Sequence, residues 1–276
     1  MPPEQADGGR PRAAVYAVAN QKGGVAKTAT TLSLGAALAE RGQAVLVVDL
    51  DAQASLTFSL GYDSDALDPT MHDVVLGRAT LAATILSHAE MDLAPSSIDL
   101  AGAEVALLTR TGREYVLRAE IDTLRDTYDA ILIDCPPSLG VLTLNALTAA
   151  DQVLIPVQCE TLSHRGVSQL LETITDVQRL TNRGLEVTGL IATMFDGRTR
   201  HAREILADVV SRYDLAIVGV PVRKSVRFAE APLHGRSILA YAGGVPGAAA
   251  YRVIAAELAG LDVDPTVREA AGEVPQ

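Results

Sequence analysis

Asn20-Gln21-Lys22-Gly23-Gly24-Val25-Ala26-Lys27-Thr28 is the stretch that decides the fold. Before it, residues 14–19 form a short apolar run. After it, residues 27–41 place Leu32, Leu34, Ala36, Ala37 and Leu38 at helical spacing, and Gly42 follows as a stop signal. The order predicts strand, glycine-rich turn, helix. Gly23 and Gly24 can turn backbone N–H groups outward with no Cβ in the way, and the helix adds its positive end. Lys27 is placed to reach the β- and γ-phosphates of a nucleotide, and Thr28 to offer a hydroxyl to Mg²⁺. The commoner phosphate-loop pattern, G-x-x-x-x-G-K-[ST], fails at Gln21 and Ala26. A glycine pair alone would be a plain strand–helix turn; Lys-Thr directly behind it makes a phosphate cradle the better account.

Outward from this loop, strand and helix patterns alternate. Residues 44–50, 131–134, 153–157 and 190–193 are continuous apolar runs, as strands covered on both faces require. Helical patterns lie at 113–128, 141–150, 164–181, 200–213 and 248–261. The expected fold is a doubly wound α/β domain, a mostly parallel sheet with helices on both faces. No linker or repeat divides the chain. A single domain is expected over 13–262, with tails at 1–12 and 263–276; 63–69 reads as a loop leading into a short helix.

The chain has 276 residues, 48% of them hydrophobic and 21% charged, which excludes a mostly disordered chain. No apolar run has membrane-spanning length, and residues 1–12 lack the apolar core of a secretory signal, so a cytoplasmic protein is expected. Cys135 and Cys159 read as buried thiols rather than cluster ligands, and the five histidines show no metal-ligand spacing. A net charge of −11 argues against a general attraction to nucleic acid. Within it, 196–236 holds eight basic against five acidic residues, a local basic stretch. Every cation but three is arginine; two of the lysines, Lys22 and Lys27, share the glycine loop.

The loop resembles the deviant Walker A motif, x-K-G-G-x-x-K-[ST], of the ParA/MinD ATPases. Two further stretches carry the likeness. Val45-Leu46-Val47-Val48-Asp49-Leu50-Asp51-Ala52-Gln53 is similar to that family's D-x-D-P-Q segment, and Ile131-Leu132-Ile133-Asp134-Cys135-Pro136-Pro137 to its Walker B strand. The resemblance covers roughly 14–260 and is nearest the chromosome-partitioning ParA/Soj branch. It departs at Ala26, Ala29 and Ala52. Ala26 is acceptable at negative φ at the helix start, and Ala29 still offers its N–H.

The resemblance implies a slow, partner-stimulated, Mg²⁺-dependent ATPase that dimerises around ATP. ATP would be held by Lys22, Gly23, Gly24, Val25, Ala26, Lys27, Thr28, Ala29, Met194 and Pro221. Lys22 would cross to the partner subunit's phosphates. Thr28, Asp49 and Asp134 would serve Mg²⁺, the aspartates through water, and Asp51 the attacking water. Arg198, Arg200, Lys224 and Arg227 would contact double-stranded DNA without sequence preference, at the nucleoid, with a ParB-like protein as partner. The alternatives are a membrane-associated regulator of the MinD kind, disfavoured by the acidic, Pro265-interrupted C-terminus; an orphan relative positioning a non-DNA cargo; and an ATP-dependent amidoligase.

Overall fold

The strands are β1 (Ala14–Val18), β2 (Val45–Asp49), β3 (Leu86–Ser87), β4 (Asp92–Ala94), β5 (Ala130–Asp134), β6 (Gln152–Gln158) and β7 (Glu186–Thr193). They form one sheet in the order β3-β4-β2-β5-β1-β6-β7. All neighbours pair parallel except β3 with β4. This is the mostly parallel sheet that the unbroken apolar runs predict. The computed structural model describes residues 12–158 and 163–272.

Alternation along each strand assigns its side chains to two cores. Val15, Ala17, Leu46, Val48, Ile131 and Ile133 face one side. There they meet α3 (Met71–Leu76), α5 (Leu100–Leu107), α6 (Val116–Asp122), α7 (Val141–Ala149) and α8 (Ser163–Leu180). Tyr16, Val45, Val47, Leu132 and Leu154 face the other side. They meet α1 (Lys27–Ala39) and α12 (Pro246–Leu258). Gly35 lets α1 approach closely: a Cβ there would stand 2.9 Å from Val47 Cγ1. Shorter helices are α2 (Ser55–Ser59), α4 (Leu81–Thr84), α10 (Arg227–Glu230) and α11 (Ile238–Ala242), and α9 (Arg200–Tyr213) lies beyond β7.

Two expected elements differ. The predicted helix 113–128 breaks into a 3₁₀ turn (Arg113–Tyr115), then α6, then turns from Thr123 onward. Arg125 supplies the reason. Its guanidinium donates to Asp151 Oδ2 at 2.6 Å, to Asp151 Oδ1 at 3.0 Å, and to the carbonyls of Ala13 and Ala149. This clasp ties the start of β1 to the end of α7, and the chain leaves helical geometry to make it. The segment 264–272, expected as part of a tail, carries α13 (Pro265–Ala271). Pro265 opens that helix rather than interrupting one: Asp264 caps it, accepting from Thr266 N at 2.8 Å. Val263, Val267 and Ala271 pack into the core that holds α12.

Candidate nucleotide-binding site

β1, β2 and β5 end level: Val18 pairs with Asp134, and Asp134 with Asp49. Loops leaving these carboxyl ends therefore meet at one edge of the sheet, where parallel α/β sheets take ligands. Asn20 anchors the first loop. Its Nδ2 donates to Pro156 O at 2.7 Å, and its Oδ1 accepts from Lys22 N at 3.0 Å. Gly23 and Gly24 are exposed, Gly24 at φ 76 with nothing near a Cβ position. Val25 is buried, and its carbonyl accepts from Thr193 Oγ1 at 3.0 Å. The loop is thus pinned at both ends and open between.

Ala26 stands at φ 66, ψ 35, not at the negative φ the sequence reading required. It precedes α1 with no side-chain cap, so the first N–H groups of α1 have no capping side chain. Lys27 is buried, and its Nζ lies 3.4 Å from Lys22 O. Burial lowers its pKa, while Asp134, Cys135 and Asp51 oppose that shift. Two further non-glycine residues adopt left-handed backbone around the same edge: Ala54 (φ 50) and Met194 (φ 49). Such strain concentrates where a loop must hold one shape.

The two buried aspartates differ in what satisfies them. Asp49 Oδ2 accepts from Thr57 N at 2.9 Å and Thr57 Oγ1 at 2.7 Å, and its Oδ1 from Asp51 N at 3.3 Å. Asp49 thereby fixes the start of α2. Asp134 Oδ1 accepts from Thr31 Oγ1 at 3.4 Å, but Asp134 Oδ2 is buried with no partner. Burial pushes the Asp134 carboxyl up to about 8, with Asp49 adding to it and Thr28 and Lys27 opposing. Burial likewise raises Asp49, to about 6, against its bonds from Thr57. An orphaned buried carboxylate oxygen beside a threonine hydroxyl and a lysine suits a hydrated divalent cation.

A cleft of about 870 Å³ opens over the loop. Gly23, Gly24, Ala26, Lys27, Thr28, Ala29, Asp51 and Met194 line it. Pro221 does not; the next residue, Val222, takes that place, its N–H on Ala192 O at 2.7 Å. Lys22, Val25, Asp49 and Asp134 also lie outside the lining. Lys224 joins the cleft wall with Arg223, while Arg200, the first residue of α9, is not part of the lining. Leu32, Ser33, Phe228, Ile238 and Tyr251 also line the cleft. Sequence reasoning missed these five, because α1, α10, α11 and α12 converge only in three dimensions. Tyr251 is held by Thr30 at 2.9 Å and by the edge of Phe228.

The expected DNA-contacting arginines are each engaged. Arg198 forks onto Asp196 at 2.9 and 3.0 Å, Arg200 reaches Glu204 at 2.6 Å, and Arg227 reaches Glu230 at 2.6 Å. Asp196 is held down to about 2 by Arg198. Cys135 is buried, and burial raises its thiol pKa; Cys159 lies outside the described residues. Among the described residues no cluster of His, Cys, Asp or Glu forms a metal site, and no helix is long and apolar enough to cross a membrane.

Residues 13–187 match the AAA domain family. Sporulation initiation inhibitor protein Soj of Bacillus subtilis is 40% identical over 247 residues, covering 89% of this chain and 98% of the relative. The chain belongs to the ParA/Soj family of ATPases. The chromosome partitioning protein ParA of Caulobacter vibrioides is 38% identical over 254 residues, 91% of this chain and 95% of that one. Among solved structures, one described as cobyrinic acid a,c-diamide synthase from Mycobacterium smegmatis, with bound ATP analogue and magnesium, is 49% identical. It superposes with a TM-score of 0.80 over 90% of this chain and 94% of that chain. ParA/Soj membership makes nucleotide hydrolysis the activity class of this chain.

Proposed function

We propose that this ParA-type protein binds ATP and Mg²⁺ in the cleft, dimerises around the nucleotide, and in that state binds duplex DNA without sequence preference. A ParB-like partner stimulates hydrolysis, and DNA is released. The unpartnered Asp134 Oδ2 beside the Lys27–Thr28 cradle is the observation that carries the nucleotide reading. The exposed Gly23 and Gly24 backbone and the start of α1 receive the phosphates, and Lys27 offsets their charge. Mg²⁺, when bound, neutralises phosphate charge as it develops in the reaction. Thr28 and Asp134 hold its water shell; Asp49, already engaged with Thr57, positions α2 and the loop that carries Asp51. Asp51 lines the cleft and accepts from Gln53 N at 3.0 Å, which fixes its carboxylate to orient the attacking water. Lys22 would serve a partner subunit's nucleotide, the role its place in the Lys-Gly-Gly motif assigns by resemblance.

The DNA reading rests on the basic stretch and on the partition relatives. The local ion pairs mean that phosphates must exchange with Asp196, Glu204 and Glu230 at the arginines. Binding should therefore need the doubled contact area of a dimer. The test is a surface-binding assay on two unrelated duplexes, with ATP and with ADP. Binding to both duplexes with ATP alone is expected. If about five phosphates are neutralised, affinity falls roughly 10²–10³-fold between about 50 and 200 mM salt. Equal binding in both nucleotide states contradicts the reading.

The Mycobacterium smegmatis structure's description supports a second reading, ATP-dependent amidation. Among the described residues the one cysteine, Cys135, is buried with a raised pKa, unsuited as a glutaminase nucleophile. ADP formation that requires a carboxylic acid acceptor and an ammonia source would favour amidation; ADP formation without either favours the partition cycle.

A further inference from the structure

α13 ends against the wall of the cleft. Gly272, its C-terminal cap, stands at φ 88, and its carbonyl accepts from the Arg223 guanidinium at 3.2 Å. The guanidinium lies against the glycine itself: a Cβ on Gly272 would fall within 2.6 Å of Arg223 Cζ. Arg223 lines the cleft with Val222, Lys224, Ser225 and Val226. Its backbone also bridges to Phe195, just beyond β7, and Phe195 N donates to Val222 O at 2.9 Å. This stretch of wall is therefore held from two sides, by the end of β7 and by the end of α13. α13 has seven residues and lies against α12, with Val263, Val267 and Ala271 seating the segment on the core.

We propose that α13 is a latch that positions the cleft wall through Arg223, with Gly272 as the positioning residue. Nucleotide affinity then depends on whether α13 is docked. The proposal rests on the cleft being the nucleotide site. The carbonyl end of a helix favours a cation, and a glycine at φ 88 is the residue that brings the two into contact. Undocking α13 removes the Arg223–Gly272 tie and lets residues 223–226 open. Conversely, nucleotide packed against the wall favours the docked helix, since the coupling is reciprocal. The latch acts on binding, not on the reacting groups, which sit at the start of α1, in the loop after β2 and at the end of β5.

The experiment compares the full chain with Gly272→Val, which drives a branched side chain into Arg223, and with Val267→Asp, which loosens α13 without touching Arg223. Affinity for a fluorescent ATP analogue with Mg²⁺, amide exchange across 264–272, and ATP hydrolysis at saturating nucleotide are measured. Both variants should weaken nucleotide binding about tenfold and speed exchange in α13. Hydrolysis at saturation should stay unchanged, a split that general unfolding would not give. Arg223→Ala should abolish the effect of Gly272→Val on affinity. Faster exchange with unchanged affinity overturns the latch. So does an affinity loss that persists in the Arg223→Ala background, since the route would not be Arg223. Absence of nucleotide binding by the unaltered chain would instead overturn the site reading, and the latch with it.

Discussion

Asp49 and Asp134 stand in register at the carboxyl ends of β2 and β5, and only Asp49 has protein donors on both oxygens. One buried carboxylate builds the site and its neighbour waits for a ligand.

That difference predicts a trade of stability for function. Asp134→Asn should stabilise the ligand-free protein. A carboxyl raised from 3.8 to about 8 is protonated more readily folded than unfolded. Its ionisation costs stability as pH rises above about 4, and the cost grows until pH passes the raised pKa. The asparagine variant should match the parent near pH 3.5. It should be more stable at pH 8 by at least about 1 kcal/mol, since one pKa unit is worth about 1.4 kcal/mol. Hydrolysis should be lost. Urea denaturation in chelator at both pH values checks this; a less stable variant at pH 8 contradicts it.

Ala26→Gly should stabilise the protein without loss of nucleotide binding. Ala26 holds φ 66 at the start of α1, a backbone that costs a Cβ-bearing residue roughly 1–2 kcal/mol. Glycine removes that strain but has more unfolded freedom to lose, about 0.4–1 kcal/mol. A net gain of about 0.5 kcal/mol, or a rise of about 1–2 °C in Tm, is expected. A clear fall in Tm contradicts the strained geometry.

Much of this site is legible in the sequence, because β1, its loop and α1 follow local rules. An apolar run, a glycine pair and a helical period place Lys27 and Thr28 without tertiary information. Asp49 and Asp134 are legible because apolar strands deliver them to one edge. Ala26 misleads: the residue type argues for negative φ, but Val25 below and α1 beyond dictate the turn. Tyr251 and Phe228 have no local signature; they reach the cleft from segments far along the chain from α1. β4 is three residues long, too short for a period. α13 does carry start and stop signals, Asp264-Pro265 and Gly272, but few apolar residues between them, and so reads as a tail.

Removing an acid should strengthen DNA binding. Glu204 holds Arg200 and Asp196 holds Arg198, so each arginine is now partly neutralised where it stands. Glu204→Gln and Asp196→Asn should each raise ATP-state affinity for duplex DNA by a few-fold at low salt, and their effects should add. Arg227→Glu should reduce binding and flatten the salt slope while the ATP-bound dimer persists. Titration of one duplex at several salt concentrations measures all three. Unchanged affinity in every variant would move the DNA contact to another surface.

In the proposed cycle ATP, through Lys22, joins two copies of this chain. Light scattering of the parent and of Lys22→Ala, each with Mg-ATP and with Mg-ADP, measures it most directly. The parent should double in mass with ATP and stay monomeric with ADP. Lys22→Ala should bind ATP and remain a monomer in both, whereas Lys27→Ala should bind neither nucleotide. A parent that stays monomeric with ATP, or a Lys22→Ala variant that doubles in mass as the parent does, would contradict the account.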